Sequence, residues 1–160
     1  MPIVTRRDAT GMLVKNEQGE GYYAKAHADL TAGVPYLVND SYESITVEGT
    51  AANNAVAVTA ACAAEASIYK RWGVATKAYA AGDIAFLLNK GECSMFVNGD
   101  TDIAVGDTLK IAPGGSATCA IKSGTTETES TVALALEAYT TASEALKKVS
   151  LLGGKRIINT

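Results

Sequence analysis

The sequence predicts a mainly β protein: a small antiparallel β-barrel or sandwich of short strands, with at most one or two short helices and an extended N-terminal arm. Three observations lead to this prediction. Short runs of β-branched and aromatic residues recur at intervals of about 8–12 residues, as in all-β domains. Turn signals centred on glycine separate these runs. The chain has 160 residues, of which 48% are hydrophobic, so one domain can bury a core.

A short glycine pattern marks the turns of the predicted barrel. It occurs at Thr31–Val38, Ala80–Leu87 and Ala104–Ile111. In each copy a small residue precedes a glycine, and a strand-like run of five or six residues follows. Glycine adopts the positive φ of a tight turn, and aspartate hydrogen-bonds the turn backbone. The predicted turn-forming residues are therefore Gly33, Gly82, Asp83, Gly106 and Asp107.

A second similarity relates two segments that lie 60 residues apart. Ala75–Ala81 resembles Ala135–Thr141, and each follows a β-like run. The chain therefore contains two or three related strand–turn–strand units.

Three further elements complete the assignment. Asn89–Gly91 predicts a hairpin turn between two short strands. The alanine-rich stretch Val58–Ile68 is compatible with a short helix. Thr141–Glu144 fits a capping box, which predicts a helical turn over Ala142–Lys148.

The first 24 residues contain isolated apolar side chains without a sustained period. This pattern predicts an extended arm over residues 1–24, followed by a β-rich domain over residues 25–160. The planar guanidinium group of an arginine in this arm can bind a carboxylate of a neighbouring molecule through two parallel hydrogen bonds. The candidate contact residues of the arm are Arg6, Arg7, Met12 and Leu13.

Motifs for catalysis and cofactor binding are missing from the sequence. It has no Gly-x-Ser-x-Gly nucleophile motif, no phosphate-binding loop and one histidine, His27. Its three cysteines, Cys62, Cys93 and Cys119, form no Cys-x-x-Cys pair, so we expect buried thiols rather than a zinc site or disulfides. Asp100 and Asp102 are more simply turn formers than metal ligands. We expect a protein that is not an enzyme and binds no metal or cofactor.

Charge and hydropathy limit the partners. The net charge of −3 and the pI near 5.2 argue against nucleic acid as the main partner. No apolar run approaches the roughly 18 residues of a membrane span, and the first residues lack the apolar segment of a secretory signal. Residues 28–69 contain five acids and no lysine or arginine. This stretch is either a solvated face or a surface for a basic partner.

An alternative from another class is a biotinyl or lipoyl carrier domain. Such domains present a lysine at a hairpin tip, and Lys90 occupies the predicted tip at Asn89–Gly91. The residues beside Lys90 differ from those that usually flank the carrier lysine. A solvated hairpin lysine is the simpler interpretation.

From about Ala28 to Gly154 the chain resembles the capsid decoration, or head cement, proteins of tailed bacteriophages. The matching segments, in the same order and spacing, are Leu30–Gly33, Trp72–Ala75, Ala80–Asp83, Asp102–Leu109, Ala133–Ala138 and Val149–Gly154. Residues 51–66 and the N-terminal arm match less well.

The resemblance implies a non-catalytic virion protein, often a homotrimer, on the outer surface of the capsid. Its partner would be the major capsid protein, whose capsomers it would hold together against internal DNA pressure, and it would pass through the host cytoplasm during assembly. An alanine-rich core buries little area per side chain, so stabilisation by neighbouring subunits fits this role. A tail or baseplate accessory protein is the second interpretation.

Overall fold

Every regular element that the structure describes is a β-strand, which confirms the mainly β class. The computed structural model describes residues 13–26, 28–38, 54–57, 69–70, 72–112, 119–128, 130–154 and 156–157. The strands are β1 (Leu13–Asn16), β2 (Gly19–Ala26), β3 (Pro35–Val38), β4 (Asn54–Ala57), β5 (Tyr69–Lys70), β6 (Trp72–Ala75), β7 (Ile84–Asn98), β8 (Thr108–Ile111), β9 (Ala120–Gly124), β10 (Ala133–Ala135), β11 (Glu144–Leu152) and β12 (Arg156–Ile157). Within these ranges no helix has the length and apolarity needed to cross a membrane.

Two closed five-stranded β-barrels share the long strand β7, and we call each of them a ring. The first ring has the order β2-β4-β3-β6-β7 and closes through the pairing of β7 with β2. The second has the order β7-β11-β10-β8-β9 and closes through the pairing of β9 with β7. In each ring one pair is parallel, β2 with β4 and β7 with β9, and the other four pairs are antiparallel. The two rings therefore have the same topology.

Isolated bridges outside the strands repeat in the same way. Leu30 exchanges backbone hydrogen bonds with Tyr79 in the first ring, and Ile103 exchanges them with Tyr139 in the second. Both tyrosines belong to the similar segments that lie 60 residues apart in the sequence. The predicted repetition therefore corresponds to two related rings.

The glycine turns have equivalent places in only two of their three copies. Gly33 lies in the turn before β3, and Gly106 lies in the turn before β8. The amide of Gly33 donates to the carbonyl of Ala75 at the end of β6, and the amide of Gly106 donates to the carbonyl of Ala135 at the end of β10. Gly82 lies instead in the turn that leads into β7.

The hairpin turn predicted at Asn89–Gly91 is wrong, because these residues lie within β7, which is one strand of 15 residues. The pairing register with β2 shifts between Glu20 and Gly21, opposite Asn89, which is the geometry of a β-bulge. Asn89 is buried, and its Nδ2 donates to the carbonyl of Trp72 at 2.9 Å. The signal for a turn therefore marks the place where the strand passes from one ring to the next.

The predicted extended arm is not what the structure shows for residues 13–24. β1 and β2 form an antiparallel hairpin, and β2 pairs with β7 from Glu20 to Lys25. Tyr22 and Ala24 are buried in the core. Isolated apolar residues here alternate between two faces of a strand, so they need no helical period. Residues 1–12 lie outside the described residues, and β2 runs across the predicted boundary at residue 24.

The helix predicted over Ala142–Lys148 is also wrong. From Glu144 onward the chain is β11, which pairs with β7 along nine residues. The capping-box pattern is local, whereas the ladder with β7 pairs the backbone from Glu144 to Leu152 along one edge. The possible helix at Val58–Ile68 lies outside the described residues.

Two apolar clusters fill the rings and meet at β7. The first cluster fills the second ring, and it extends over Trp72 and Val74 of β6 and over Phe86 and Leu88 of β7. The second cluster fills the first ring and includes Tyr36 from β3. Opposite faces of β7 therefore belong to different cores, as the period of two in a strand requires.

Candidate functional site

The predicted turn residues form three glycine turns, and an aspartate closes two of them. Gly33, Gly82 and Gly106 have φ values of 85°, 90° and 91°. Asp83 accepts the amide of Ala80 at 2.9 Å, and Asp107 accepts the amide of Ala104 at 2.8 Å. Each carboxylate accepts a hydrogen bond from a backbone amide of its own turn, and this bond closes the turn.

Asp107 is further fixed by Lys122 of β9. The ammonium group lies 2.7 Å from Asp107 Oδ2 and also donates to the carbonyl of Asp102 at 3.0 Å. The hydrogen bond from Lys122, and then the one from the amide of Ala104, hold the pKa of Asp107 below its usual value. The arrangement ties a turn to its neighbouring strand.

Lys90, the residue of the carrier interpretation, is not at a hairpin tip. It is an exposed residue within β7, paired with Glu20 on one side and with Leu152 on the other. A carrier lysine has to reach out from a turn into a partner's active site. The position of Lys90 between two strands does not provide that reach.

The described cysteines are free thiols, of which Cys93 is half-buried and Cys119 is buried. Burial raises the pKa of Cys93 to about 12, and burial together with Glu144 raises the pKa of Cys119 to about 12. Among the residues that the structure describes, no group of three or more histidine, cysteine, aspartate or glutamate side chains could hold a metal ion. Cys62 and His27 lie outside the described residues.

Of the predicted contact residues, Leu13 is the first residue of β1 and pairs with Tyr22. Arg6, Arg7 and Met12 lie outside the described residues. Asp100 and Asp102 are exposed in the segment after β7, where the amide of Asp100 donates to Asn98 Oδ1 at 2.9 Å. The side chain that caps this turn is therefore that of Asn98, and Asp100 contributes its backbone amide.

The surface feature that sequence analysis missed is a set of exposed large apolar side chains. Val105, Leu136 and Leu146 are 66%, 38% and 48% exposed. Leu146 borders a groove of about 620 Å³ whose other walls come from the turns of the first ring and from β7. Leu136 borders an adjoining groove of about 210 Å³, and Ser94 of β7 lines both.

The backbone around these apolar residues is joined by hydrogen bonds within the second ring. Leu136 donates its amide to the carbonyl of Lys148 on β11, and Val105 is next to Gly106, whose amide bonds Ala135. All three exposed residues belong to the second ring, and we call this set the apolar strip (Val105, Leu136 and Leu146). Strand alternation over 144–152 was the sequence signal for Leu146, and the predicted helix obscured it.

Comparisons with known proteins give little further information. No protein-family model and no curated protein matches the chain. Among solved structures, it is similar to the N base of head fiber gp8.5 of bacteriophage phi29, with 18% sequence identity, a TM-score of 0.49, and coverage of 90% of this chain and 98% of that one. A similarity at this level does not carry over the role of the head fiber. Membership of the decoration family therefore stays a prediction.

Proposed function

We propose that this chain is a structural protein of a tailed-phage virion, which attaches to the outer surface of the capsid and holds neighbouring capsomers together. The observation that carries the proposal is the distribution of apolar side chains. Trp72, Leu87, Met95 and Leu109 are fully buried, while the three residues of the apolar strip are exposed. Apolar side chains gathered on an outer face are typical of a surface that binds other proteins.

The way in which the two rings are joined suits a cement protein. A cement protein that connects two capsomers has to transmit force between them without bending at its centre. Here β7 passes through both rings as one strand, and it is paired on both edges at Lys90, where the rings meet. The cluster that fills the second ring also packs on Trp72 and Phe86 of the first. We therefore expect the two rings to act as one rigid body.

The segment before β1 supplies a second means of attachment. Its 12 residues span up to about 40 Å when extended, enough to reach a neighbouring subunit. Arg6 and Arg7 pair with carboxylates of the shell, and Met12 adds apolar contact. Leu13, being part of β1, positions this segment rather than belonging to it.

The test is binding of the purified chain to expanded shells of the major capsid protein from the same genome. We expect the chain to sediment with the shells, to appear on their outer surface in cryo-images, and to raise their resistance to heat. The double variant Arg6→Ala/Arg7→Ala should bind more weakly, whereas Lys15→Ala, which removes an exposed charge on β1, should bind as the parent does.

Two results would contradict the proposal. Density for the chain on the tail or baseplate of the particle would favour the second interpretation from the sequence. Shells that neither bind the chain nor gain stability from it would exclude a cementing role.

A further inference from the structure

The turn after β7 contains the one sequence of the chain in which asparagine precedes glycine, and the fold has a use for both residues. Asn98 Oδ1 accepts the amide of Asp100 at 2.9 Å and so caps the turn. Gly99 is buried, and a Cβ there would lie 2.8 Å from the carbonyl oxygen of Tyr139 and 2.9 Å from the backbone nitrogen and oxygen of Thr141. Packing therefore requires glycine directly after the capping asparagine.

An asparagine followed by glycine is especially open to deamidation, because no Cβ on the second residue hinders the reaction. The backbone nitrogen of the glycine loses its proton and attacks Cγ of the asparagine. The Cγ–Nδ2 bond breaks and ammonia leaves with that proton, so that a succinimide ring remains. Water opens the ring to aspartate or to isoaspartate, in which the backbone is longer by one methylene group. Water is the only co-reactant.

In the folded chain two features keep Gly99 from this reaction. Its amide donates to the carbonyl of Thr141 at 3.1 Å, so the proton that has to leave is held between two backbone groups. The backbone of Asn98 is paired with Glu144 on one edge and with Ile121 on the other. Ring closure requires the asparagine backbone to rotate out of the extended conformation, and these two pairings oppose that rotation.

A second asparagine has the same side-chain hydrogen bond in a different setting. Asn16 Oδ1 accepts the amide of Gln18 at 2.8 Å, as Asn98 Oδ1 accepts that of Asp100. Glu17 follows Asn16 and is exposed in the turn between β1 and β2. Here the turn is open to water, and a residue with a Cβ follows the asparagine.

We propose that Asn98 is a deamidation site, which the folded second ring protects and which reacts when β11 separates from the end of β7. Separation frees the Gly99 amide from Thr141 and the Asn98 backbone from Glu144. The product places a carboxylate opposite Glu144 and beside Asp100, and like charges in these positions destabilise the pairing. Isoaspartate also lengthens the strand and disturbs its register. The modification is therefore a lasting record that the second ring has opened, and it does not depend on attachment to a capsid.

The test compares Asn98 with Asn16 in one molecule. Glu17→Gly gives the exposed asparagine a following glycine, without the strand pairing that surrounds Asn98. The parent and this variant are incubated folded at neutral pH, and the parent is also incubated unfolded in urea. Digestion in mildly acidic buffer and mass spectrometry then measure the loss of the amide at each asparagine, and circular dichroism shows that the folded samples stay folded.

We expect Asn98 to deamidate in urea and to do so more slowly, by about tenfold or more, in the folded parent. In folded Glu17→Gly, Asn16 should lose its amide while Asn98 of the same molecules keeps it. After urea is removed, chains that have deamidated at Asn98 should melt below the parent.

Three results would overturn the proposal. Equal rates at Asn98 in the folded and the unfolded parent would show that the second ring gives no protection. An amide at Asn98 that persists in urea would show that the site is unreactive. Equal persistence of both amides in folded Glu17→Gly would show that the pairing of β7 with β11 is not what protects Asn98.

Discussion

Two glycines with nearly the same backbone conformation have different surroundings. Gly33 and Gly106 both have φ close to 90°, where any residue with a Cβ is strained. The space beside Gly106 is open, whereas Leu146 and Phe96 occupy the space beside Gly33. Both turns therefore need a glycine for its positive φ. Only the turn at Gly33 also needs a residue without a Cβ because of close packing.

Alanine substitutions should separate these two requirements. Gly106→Ala should lower the free energy of unfolding by about 1–2 kcal/mol through backbone strain alone. Gly33→Ala should cost more, because the new methyl group also displaces Leu146. Denaturant titration of both variants measures the difference. Adding Leu146→Ala should recover part of the loss at Gly33 and none at Gly106, and equal costs in all backgrounds would contradict this account.

Asp107 predicts a dependence of stability on pH. Its pKa is lowered in the folded protein, first by Lys122 and then by the amide of Ala104. The stabilising effect of the carboxylate is therefore present above its unfolded pKa of about 3.9 and is lost as the pH falls through the lower folded pKa. Asp107→Asn should melt below the parent from pH 7 down to about pH 4, and the gap should close in more acidic buffer. Thr101→Ala, at a nearby exposed position that does not titrate, is the control and should melt as the parent does throughout this pH range.

At the scale of elements, the β1–β2 hairpin joins the N-terminal segment to the core. Val14 of β1 packs against the cluster that fills the second ring. The turn of the hairpin also approaches the bulge in β7, because a Cβ on Gly91 would lie 2.6 Å from the carbonyl oxygen of Gln18. β1 is therefore a structural strand rather than a flexible attachment.

Truncations measure what β1 contributes. Deleting residues 2–18 removes β1 and its turn, and it should lower the free energy of unfolding by about 1–3 kcal/mol through the lost burial of Val14 and the lost ladder with β2. Deleting residues 2–11 leaves β1 intact and is the reference. Thermal melting of the two proteins gives the comparison, and equal melting temperatures would show that β1 adds nothing to the domain.

At the scale of the whole molecule, the shared strand couples the two rings. Trp72 and Val74 of the first ring belong to the same cluster as Met95 and Val97 of the second. Neither ring keeps a complete hydrophobic environment when the other opens. The structure thus favours one cooperative unit over two independent domains.

Unfolding should therefore occur in a single transition. Trp72 is the one tryptophan of the chain, so its fluorescence reports on the junction, while far-UV circular dichroism reports on all strands. The two signals should coincide during denaturation. Leu88→Ala, a buried change at the junction, should shift both together by about 2–5 kcal/mol. Separate transitions for fluorescence and circular dichroism would show that the rings unfold independently.

The sequence by itself determined the mainly β class, the glycine turns and the relation between the two halves of the chain. These features depend on local chemistry. Gly33 and Gly106 need a positive φ, Asp107 closes its own turn, and the segments Ala75–Ala81 and Ala135–Thr141 repeat the same residue pattern. Interactions between near neighbours carry this information, so it can be read from short stretches.

Only the tertiary structure decided how these units are joined and which surface they expose. The segment Asn89–Gly91 has the composition of a turn, but β2 and β11 pair on its two sides and keep it within one strand. Likewise, Val105 follows the same local pattern as Ala32, and only the position of the second ring leaves one exposed and the other beside a groove. Pairing and exposure depend on residues far apart in the chain, and short-range patterns do not contain that information.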